Sequence, residues 1–160
     1  MAKSLPYTIL IDSNEQLPLR FGDGVATERI KLLEGDYTIR GFGDRKSGDP
    51  LDFIVERKSL ADLAGSLGNG RENFEKEMLR MANYRFAAIV VEGTREDILE
   101  HRYQSNITPK SVLSSLAAFE VRYGVHVKFC GSPQGCATQI STWARHLVHG
   151  LEKQVKQVQG

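Results

Sequence analysis

Charged side chains of both signs meet in one extended segment of the chain, Phe53 to Lys58. Successive side chains of a strand point to opposite faces, so Glu56 and Lys58 share one face while Arg57 lies on the other. A carboxylate beside an amine can bind a divalent cation, polarise a water molecule and stabilise a developing negative charge. These are the requirements for hydrolysing a phosphodiester bond. Asp36 could supply a second carboxylate, and Lys58 could orient the attacking water.

The expected metal ligands of such a site are all carboxylates. They are Asp36, Glu56 and Asp62. Hard oxygen ligands suit Mg²⁺ or Mn²⁺ rather than zinc, so the sequence predicts one of these two ions as the cofactor. We expect Glu56 and Lys58 to face an open metal site rather than the core.

Each of these residues also has a simpler interpretation. Residues 56–58 could be the solvated end of a strand, and Asp62 could complete a helix-capping box with Ser59. Three more acidic residues could be ordinary turn formers: Asp12, Glu15 and Asp36. Individually, none of them identifies an active site.

The elements that must position these residues can be predicted from hydrophobic patterns. The apolar run Tyr7–Ile11 predicts a buried strand that ends in a turn. The segments Tyr37–Phe42 and Leu51–Lys58 flank a Gly-, Asp- and Pro-containing loop, which predicts an antiparallel pair. The continuously apolar segment Phe86–Val91 predicts a central strand that is covered on both faces.

Helices should alternate with these strands. Ser59 can begin the first, and a second should cover Glu72–Tyr84. Thr108 and Pro109 predict the start of another that ends near Gly124, and a long amphipathic helix should begin near Pro133. This order predicts an α/β fold in which helices cover both faces of a sheet.

The order and spacing of the charged residues resemble the signature of the XPF/Hef-type (ERCC4-like) structure-specific endonucleases. That signature is G-D, a variable gap, and then E-R-K-x-x-x-D; here it reads Gly35-Asp36 and then Glu56-Arg57-Lys58-Ser59-Leu60-Ala61-Asp62. The segment Ile11–Glu15 is similar to the family's D-x-R-E turn, and Ser66 with Arg71 matches its S-I-x-x-x-R stretch.

The resemblance implies a restriction-endonuclease-like fold, a mixed central sheet flanked by helices, and cleavage of DNA near branch points. It implies six catalytic residues: Asp12, Asp36, Glu56, Arg57, Lys58 and Asp62. It implies DNA contacts by Glu15 and Arg71. The helix from about Pro133 carries more apolar residues than one small domain needs, so we expect a homodimer with a buried stripe of Leu147, Leu151, Val155 and Val158. The family resemblance points the same way, and the alternative is a helix folded back on its own core. We expect duplex or branched DNA as the substrate.

The sequence departs from the family pattern at Asn14, where Arg is usual, and at Glu75, where Gln is common. We expect residues 1–160 to be a single nuclease domain without the paired helix-hairpin-helix motifs that usually follow. No apolar run of about 18 residues is present, so we expect no membrane association. The expected location is the cytoplasm for a bacterial or phage protein, or the nucleus for a eukaryotic one.

Other functions compete with this one. The 21 basic and 20 acidic residues give no global positive field, so any contact with DNA must be local. A catalytically silent DNA-binding or scaffolding partner of another nuclease is the main alternative, and the intact acidic motif argues against it. A domain that binds a small phosphorylated ligand would need a phosphate loop, and the glycines between residues 65 and 70 fit no such pattern.

Overall fold

The computed structural model describes residues 6–159, in which six strands form one mixed sheet of order β2-β1-β3-β4-β5-β6. The strands are β1 Thr8–Asp12, β2 Ala26–Ile30, β3 Tyr37–Ile39, β4 Phe53–Ser59, β5 Phe86–Glu92 and β6 His126–Phe129. Strand β3 is antiparallel to both of its neighbours, and every other pair is parallel. The predicted mixed sheet, the antiparallel pair and the interior position of β5 are confirmed.

Five helices cover the sheet. They are α1 Leu60–Leu67, α2 Arg71–Met81, α3 Arg95–Leu99, α4 Pro109–Tyr123 and α5 Pro133–Gln159, with a short 3-10 helix at Arg45–Ser47. Thr108 caps α4 through its side chain, and Gly124 ends the helix in the left-handed region, at φ 66°. None of the helices in residues 6–159 is long and apolar enough to cross a membrane.

The core lies in two layers, one on each face of the sheet. Ile54, Ile89 and Val91 pack with apolar residues of α1, α2, α3 and α4. Val55 and Val90, which point the other way, pack with α5. Helices therefore cover both faces, as the sequence predicts, and the alternation within β4 sends Glu56 toward the four-helix side.

Three of the predicted site residues lie in one row across β1, β3 and β4, toward the edge of the sheet that the strand ends form. Ile11 of β1 is paired with Tyr37 of β3, which is paired with Val55 of β4. The next row toward that edge holds three acidic residues: Asp12, Asp36 and Glu56. Backbone hydrogen bonds extend the ladder here, from Asp12 N to Asp36 O (2.8 Å) and from Asp36 N to Val55 O (2.9 Å). Residues far apart in sequence are thus neighbours across three strands.

Strand β2 was not predicted from the sequence. Its residues Ala26–Ile30 are exposed except for the last, which is partly exposed, and the segment has no apolar alternation. It is an edge strand, held by parallel pairing with β1. Charged residues such as Glu28 and Arg29 are typical of sheet edges, where they disfavour pairing with other chains.

Candidate active site

Two carboxylates from neighbouring strands form the centre of the site. Asp36 and Glu56 are neighbours in one row across β3 and β4. Burial raises the pKa of Asp36 to about 7, and the negative charges of Glu15 and Glu77 contribute to the increase. Glu56 is only 5% exposed. Burial and the charge of Asp36 raise the pKa of Glu56 well above its ordinary value. Without a bound metal ion, the pair therefore retains a proton at neutral pH.

Glu56 has an unusual environment for a carboxylate. Its Oε2 atom is buried and has no hydrogen-bond partner among residues 6–159, while Oε1 lies 3.4 Å from Lys58 Nζ. The expectation of an openly exposed Glu56 is wrong, because the helices on this face cover the row where it lies. Lys58 is partly buried, and its Nζ lies 5.0 Å from the centroid of the Phe74 ring. A buried carboxylate oxygen without a partner carries a desolvation penalty that a bound cation would offset.

Glu77 of α2 is a third acidic residue at this centre, and the sequence analysis missed it. Its Oε1 accepts a hydrogen bond from Gly35 N at 3.3 Å, and its charge helps to raise the pKa of both central carboxylates. A signal was present in the sequence. Phe74 and Met81 are buried, and Glu77 lies three residues after the first and four before the second, so an acid interrupts the apolar stripe of the helix.

Asp36 is held in place by the strand beside it. Its Oδ2 accepts a hydrogen bond from Arg57 N at 2.8 Å, and this bond opposes the increase in its pKa. The preceding Gly35 has φ 70°, and a Cβ atom there would lie 2.5 Å from the Ile54 side chain. A side chain at position 35 would therefore clash with β4, which explains physically why glycine precedes the aspartate.

Arg57 lies on the opposite face, as predicted, and it is bound to protein groups. Its Nη1 lies 3.1 Å from Glu15 Oε2, and its Nε donates to Glu92. Burial opposes the charged form, but the hydrogen bonds to Glu92 and Glu15 keep the pKa of Arg57 above its ordinary value. Glu15 also accepts a hydrogen bond from the Tyr37 hydroxyl at 2.7 Å. The D-x-R-E-like turn is thereby fastened to the end of β4, and DNA contact by Glu15 stays a prediction.

Asp12 lies in the acidic row, but its side chain is engaged with the backbone. Its Oδ1 accepts a hydrogen bond from Leu32 N at 2.9 Å and lies 3.7 Å from Lys31 Nζ. These contacts fix the segment that leads from β2 toward Asp36. They are structural, and the catalytic role of Asp12 stays a prediction.

Asp62 lies near the residues on the Arg57 face of β4 rather than beside the central pair. Its backbone N–H donates to Ser59 Oγ at 3.1 Å, whereas no return bond from its carboxylate to Ser59 N is found in the described chain, so the capping box is half formed. Asp62 lines a cavity of about 430 Å³ together with Glu15, Arg57 and Glu92, which we call the Arg57 cavity. Asp36, Glu56 and Lys58 do not line this cavity.

The predicted metal ligands are only partly brought together. Across residues 6–159, no group of three or more His, Cys, Asp or Glu side chains is arranged to hold a metal ion. Asp36 and Glu56 nevertheless fit Mg²⁺ or Mn²⁺, because they combine two hard donors with one unpartnered buried oxygen. Mg²⁺ is commonly held by one or two carboxylates, and waters and substrate phosphate complete its coordination.

Arg71 lies apart from these carboxylates, at the start of α2. Its Nη1 donates to Ser115 Oγ at 2.6 Å, and its guanidinium carbon lies 5.7 Å from the centroid of the Phe119 ring. The structure thus places the predicted DNA-binding arginine against α4, beside a second cavity.

Comparisons with known proteins agree with this arrangement. A family model described as the ERCC4 domain matches residues 11–142. The crossover junction endonuclease MUS81 of Oryza sativa subsp. japonica is 35% identical over 75 residues, which are 47% of this chain and 10% of that protein. The structure of XPF from Aeropyrum pernix aligns with a TM-score of 0.65 and 26% identity, over 86% of this chain and 60% of the XPF chain. A complex of the same XPF with DNA aligns with a TM-score of 0.66 and 26% identity, over 89% of this chain and 66% of that one.

Each alignment covers a larger share of this chain than of the protein it is aligned with. The chain spans less than two thirds of either XPF chain and about a tenth of the MUS81 protein. The matched residues include Asp36, Glu56, Lys58 and Asp62.

Proposed function

Because this chain belongs to the ERCC4 domain family, we propose that it is a Mg²⁺- or Mn²⁺-dependent endonuclease that hydrolyses phosphodiester bonds in duplex or branched DNA. The observation that carries the proposal is the buried pair Asp36 and Glu56, with an unpartnered oxygen on Glu56 and Lys58 at 3.4 Å. The names of the relatives, a crossover junction endonuclease and an XPF in complex with DNA, support DNA as the substrate class.

The chemistry assigns a separate task to each central residue. A bound Mg²⁺ or Mn²⁺ supplies positive charge that activates water and stabilises the transition state. Asp36 and Glu56 would hold that cation in their ionised forms, so the proton that the pair retains would be released to solvent on binding. Lys58 donates hydrogen bonds toward the attacking water or a phosphate oxygen, and its charge favours the more anionic transition state.

The surrounding residues position these groups. Arg57 connects the end of β4 to Glu15 and Glu92, so the strand that carries Glu56 and Lys58 is fixed at its final residues. Asp62 lines the Arg57 cavity, and its part in holding the cation stays a prediction. Placing the catalytic groups beside the scissile bond lowers the barrier only if their positions are held closely, and the ion pairs of Arg57 provide such restraint.

The direct experiment measures cleavage of labelled duplex, flap and fork DNA with Mg²⁺, Mn²⁺ or EDTA. Glu56→Gln and Lys58→Ala should each reduce cleavage by at least about 10²-fold, the usual size of such losses, while circular dichroism remains that of the wild type. Glu28→Gln and Lys46→Ala are the matched controls, because these exposed side chains lie outside the site. Cleavage by Glu56→Gln at the wild-type rate would refute the assignment, as would equal wild-type cleavage with and without metal.

We also propose that the protein forms a homodimer through the end of α5. Val155 and Val158 are 54% and 87% exposed, although they continue the apolar stripe of a helix whose earlier residues are buried. Together with Leu151 they line a largely apolar groove of about 300 Å³. A second copy of the same helix would cover this groove and bring its own apolar side chains to the contact. Leu147, included in the predicted stripe, packs against the domain's own core instead.

A further inference from the structure

A second cavity, of about 370 Å³, lies between the start of α2 and one face of α4. We call it the serine cavity and define it by six of its lining residues: Arg71, Lys110, Ser111, Ser114, Ser115 and Arg122. It holds three basic side chains and three hydroxyls, and no carboxylate lines it. This composition differs from that of the Arg57 cavity, which is lined by Glu15, Asp62 and Glu92 as well as Arg57.

The periodicity of α4 produces this polar face. Ser111, Ser115 and Arg122 are separated by four and seven residues, so they project from one side of the helix. Val112, Leu116 and Phe119 form the adjacent buried side of the helix, and Ser115, which is also buried, lies at the boundary between the two sides. Serine is a weaker helix former than alanine, and three of them on one face are unnecessary for stability. Their hydroxyls provide hydrogen-bond donors at the cavity wall.

Arg71 is already fixed in a geometry that leaves part of its guanidinium available. Its Nη1 donates to Ser115 Oγ, its Nε lies 3.6 Å from Glu75 Oε1, and its guanidinium lies over the Phe119 ring. Arginine has five N–H donors, so these contacts leave donors for a ligand. A guanidinium that is held in advance loses little side-chain freedom when it binds an anion.

The other two cations of the cavity are not neutralised by the protein. Neither Lys110 nor Arg122 has a carboxylate within 4.0 Å in the part of the chain that the structure describes. By contrast, Arg57 and Arg102 each contact two carboxylates. In a chain with a net charge of only +1, the serine cavity is therefore a local concentration of uncompensated positive charge.

Aromatic contacts connect this cavity to the active site. Lys58 Nζ lies 5.0 Å from the Phe74 centroid, that centroid lies 5.4 Å from the Phe119 centroid, and the Arg71 guanidinium carbon lies 5.7 Å from the latter. Laid end to end, these distances limit the separation of Lys58 from Arg71 to about 16 Å. Because successive phosphates of one DNA strand advance about 3.4 Å along the helix axis, both sites can contact one strand within about five nucleotides.

We propose that the serine cavity binds a backbone phosphate of the DNA substrate, within about five nucleotides of the bond that is cut. The inference rests on the proposed function, which it extends by naming a second contact outside the catalytic centre. Arg71, Lys110 and Arg122 supply the charge, and the serine hydroxyls donate hydrogen bonds to the phosphate oxygens. The contact holds the strand in register with Lys58 and reads no base sequence.

The test measures binding separately from cleavage. Fluorescence anisotropy of a labelled duplex is followed in EDTA at several salt concentrations, for the wild type and for the double variant Lys110→Gln with Arg122→Gln. Both side chains are exposed, so the fold should be retained. Lys46→Gln with Lys128→Gln removes the same charge from exposed positions elsewhere and serves as the matched control.

The serine-cavity variant should bind at least about ten-fold more weakly than the wild type at about 150 mM salt, with a salt slope smaller by about one. The control should bind like the wild type. Equal losses in the two double variants, or no loss in the serine-cavity variant, would overturn the proposal, as would a wild type that binds no DNA. If binding is lost as expected but the wild type cuts nothing with Mg²⁺ or Mn²⁺, the cavity stands and the proposed endonuclease activity fails.

Two further arms identify the source and place of the phosphate. Inorganic phosphate and a 5′-mononucleotide are added as competitors; displacement by either at concentrations near those of the duplex would assign the cavity to a free phosphate compound and overturn the backbone contact. Neutral methylphosphonates are then placed one at a time along the strand that is cut. Weaker binding from a substitution within about five nucleotides of the cut, seen in the wild type and absent in the serine-cavity variant, supports the proposed position. Equal effects in both proteins would contradict it.

Discussion

Replacing Asp36 by Asn should make the metal-free protein more stable at pH 8. The folded state raises the pKa of Asp36 from 3.8 to about 7, with burial as the largest cause. Between these pH values the folded chain binds a proton that the unfolded chain has released, so stability falls as the pH rises from about 4 to about 7. Asparagine does not titrate, and its side-chain oxygen can still accept the hydrogen bond from Arg57 N.

The size of this gain follows from the two pKa values. At about 1.4 kcal/mol per pH unit, the increase from 3.8 to about 7 sets a ceiling of about 4 kcal/mol for this one group. Asp36 is only partly buried, and solvent at the sheet edge reduces the expected gain to about 1–3 kcal/mol. The gain should become small near pH 4 and vanish at lower pH, where Asp36 is protonated in both states.

Urea unfolding in EDTA, followed by circular dichroism between pH 4.5 and 8.5, measures these free energies. Asp97→Asn is a control of opposite sign. Its backbone hydrogen bond from Thr94 and its contact with Arg102 lower the pKa of Asp97, so its loss should reduce stability at neutral pH. Asp36→Asn less stable than the wild type at pH 8, or parallel pH curves for the two proteins, would refute the description of a buried, proton-retaining pair.

Three other predictions concern the cation, Glu77 and the dimer. Mg²⁺ at ten times its dissociation constant should stabilise the wild type by about 1.4 kcal/mol and Asp36→Asn by much less, as measured by the same urea curves; equal stabilisation would argue against Asp36 as a ligand. Glu77→Gln should move the acidic limb of the cleavage–pH profile to lower pH, because the charge of Glu77 raises the pKa of Glu56. An unchanged acidic limb would show that Glu77 does not act on the site. Val158→Asp should reduce the light-scattering mass from a dimer to 17.9 kDa, whereas Val121→Asp, on an exposed position of α4, should not; a monomeric wild type would refute the interface.

Much of the fold could be predicted because its elements have strong local signals. The apolar run of β5, the capping pair Thr108–Pro109 and the stripe of α5 each specify one element without help from distant residues. Strand β2 could not be predicted in this way. Its exposed residues have no apolar pattern, and only its backbone pairing with β1 makes it a strand.

The site was predictable to the extent that its residues are adjacent in sequence. Glu56, Arg57 and Lys58 follow the alternation of one strand, and the structure confirms that Arg57 lies on the opposite face from the other two. Long-range placement was less accessible. Asp62 is close to Glu56 in sequence, but the turn into α1 places it beside the Arg57 cavity. Glu77 is distant in sequence, yet it contacts Gly35 at the centre from α2.

The same acidic centre connects the stability of the domain with its proposed catalysis. Strand pairing brings Asp36 beside Glu56, the helices covering that face bury Glu56 and part of Asp36, and Glu77 adds a third negative charge. Each of these features destabilises the ionised pair in the metal-free protein and increases the advantage of binding a cation there. A site that served only to stabilise the fold would place a basic partner or a protonated donor against Glu56 Oε2, and none is found across residues 6–159. The combination of an unpartnered buried oxygen on Glu56 with neighbouring negative charges argues for function at this edge of the sheet. Asp97, by contrast, has hydrogen bonds to both of its carboxylate oxygens.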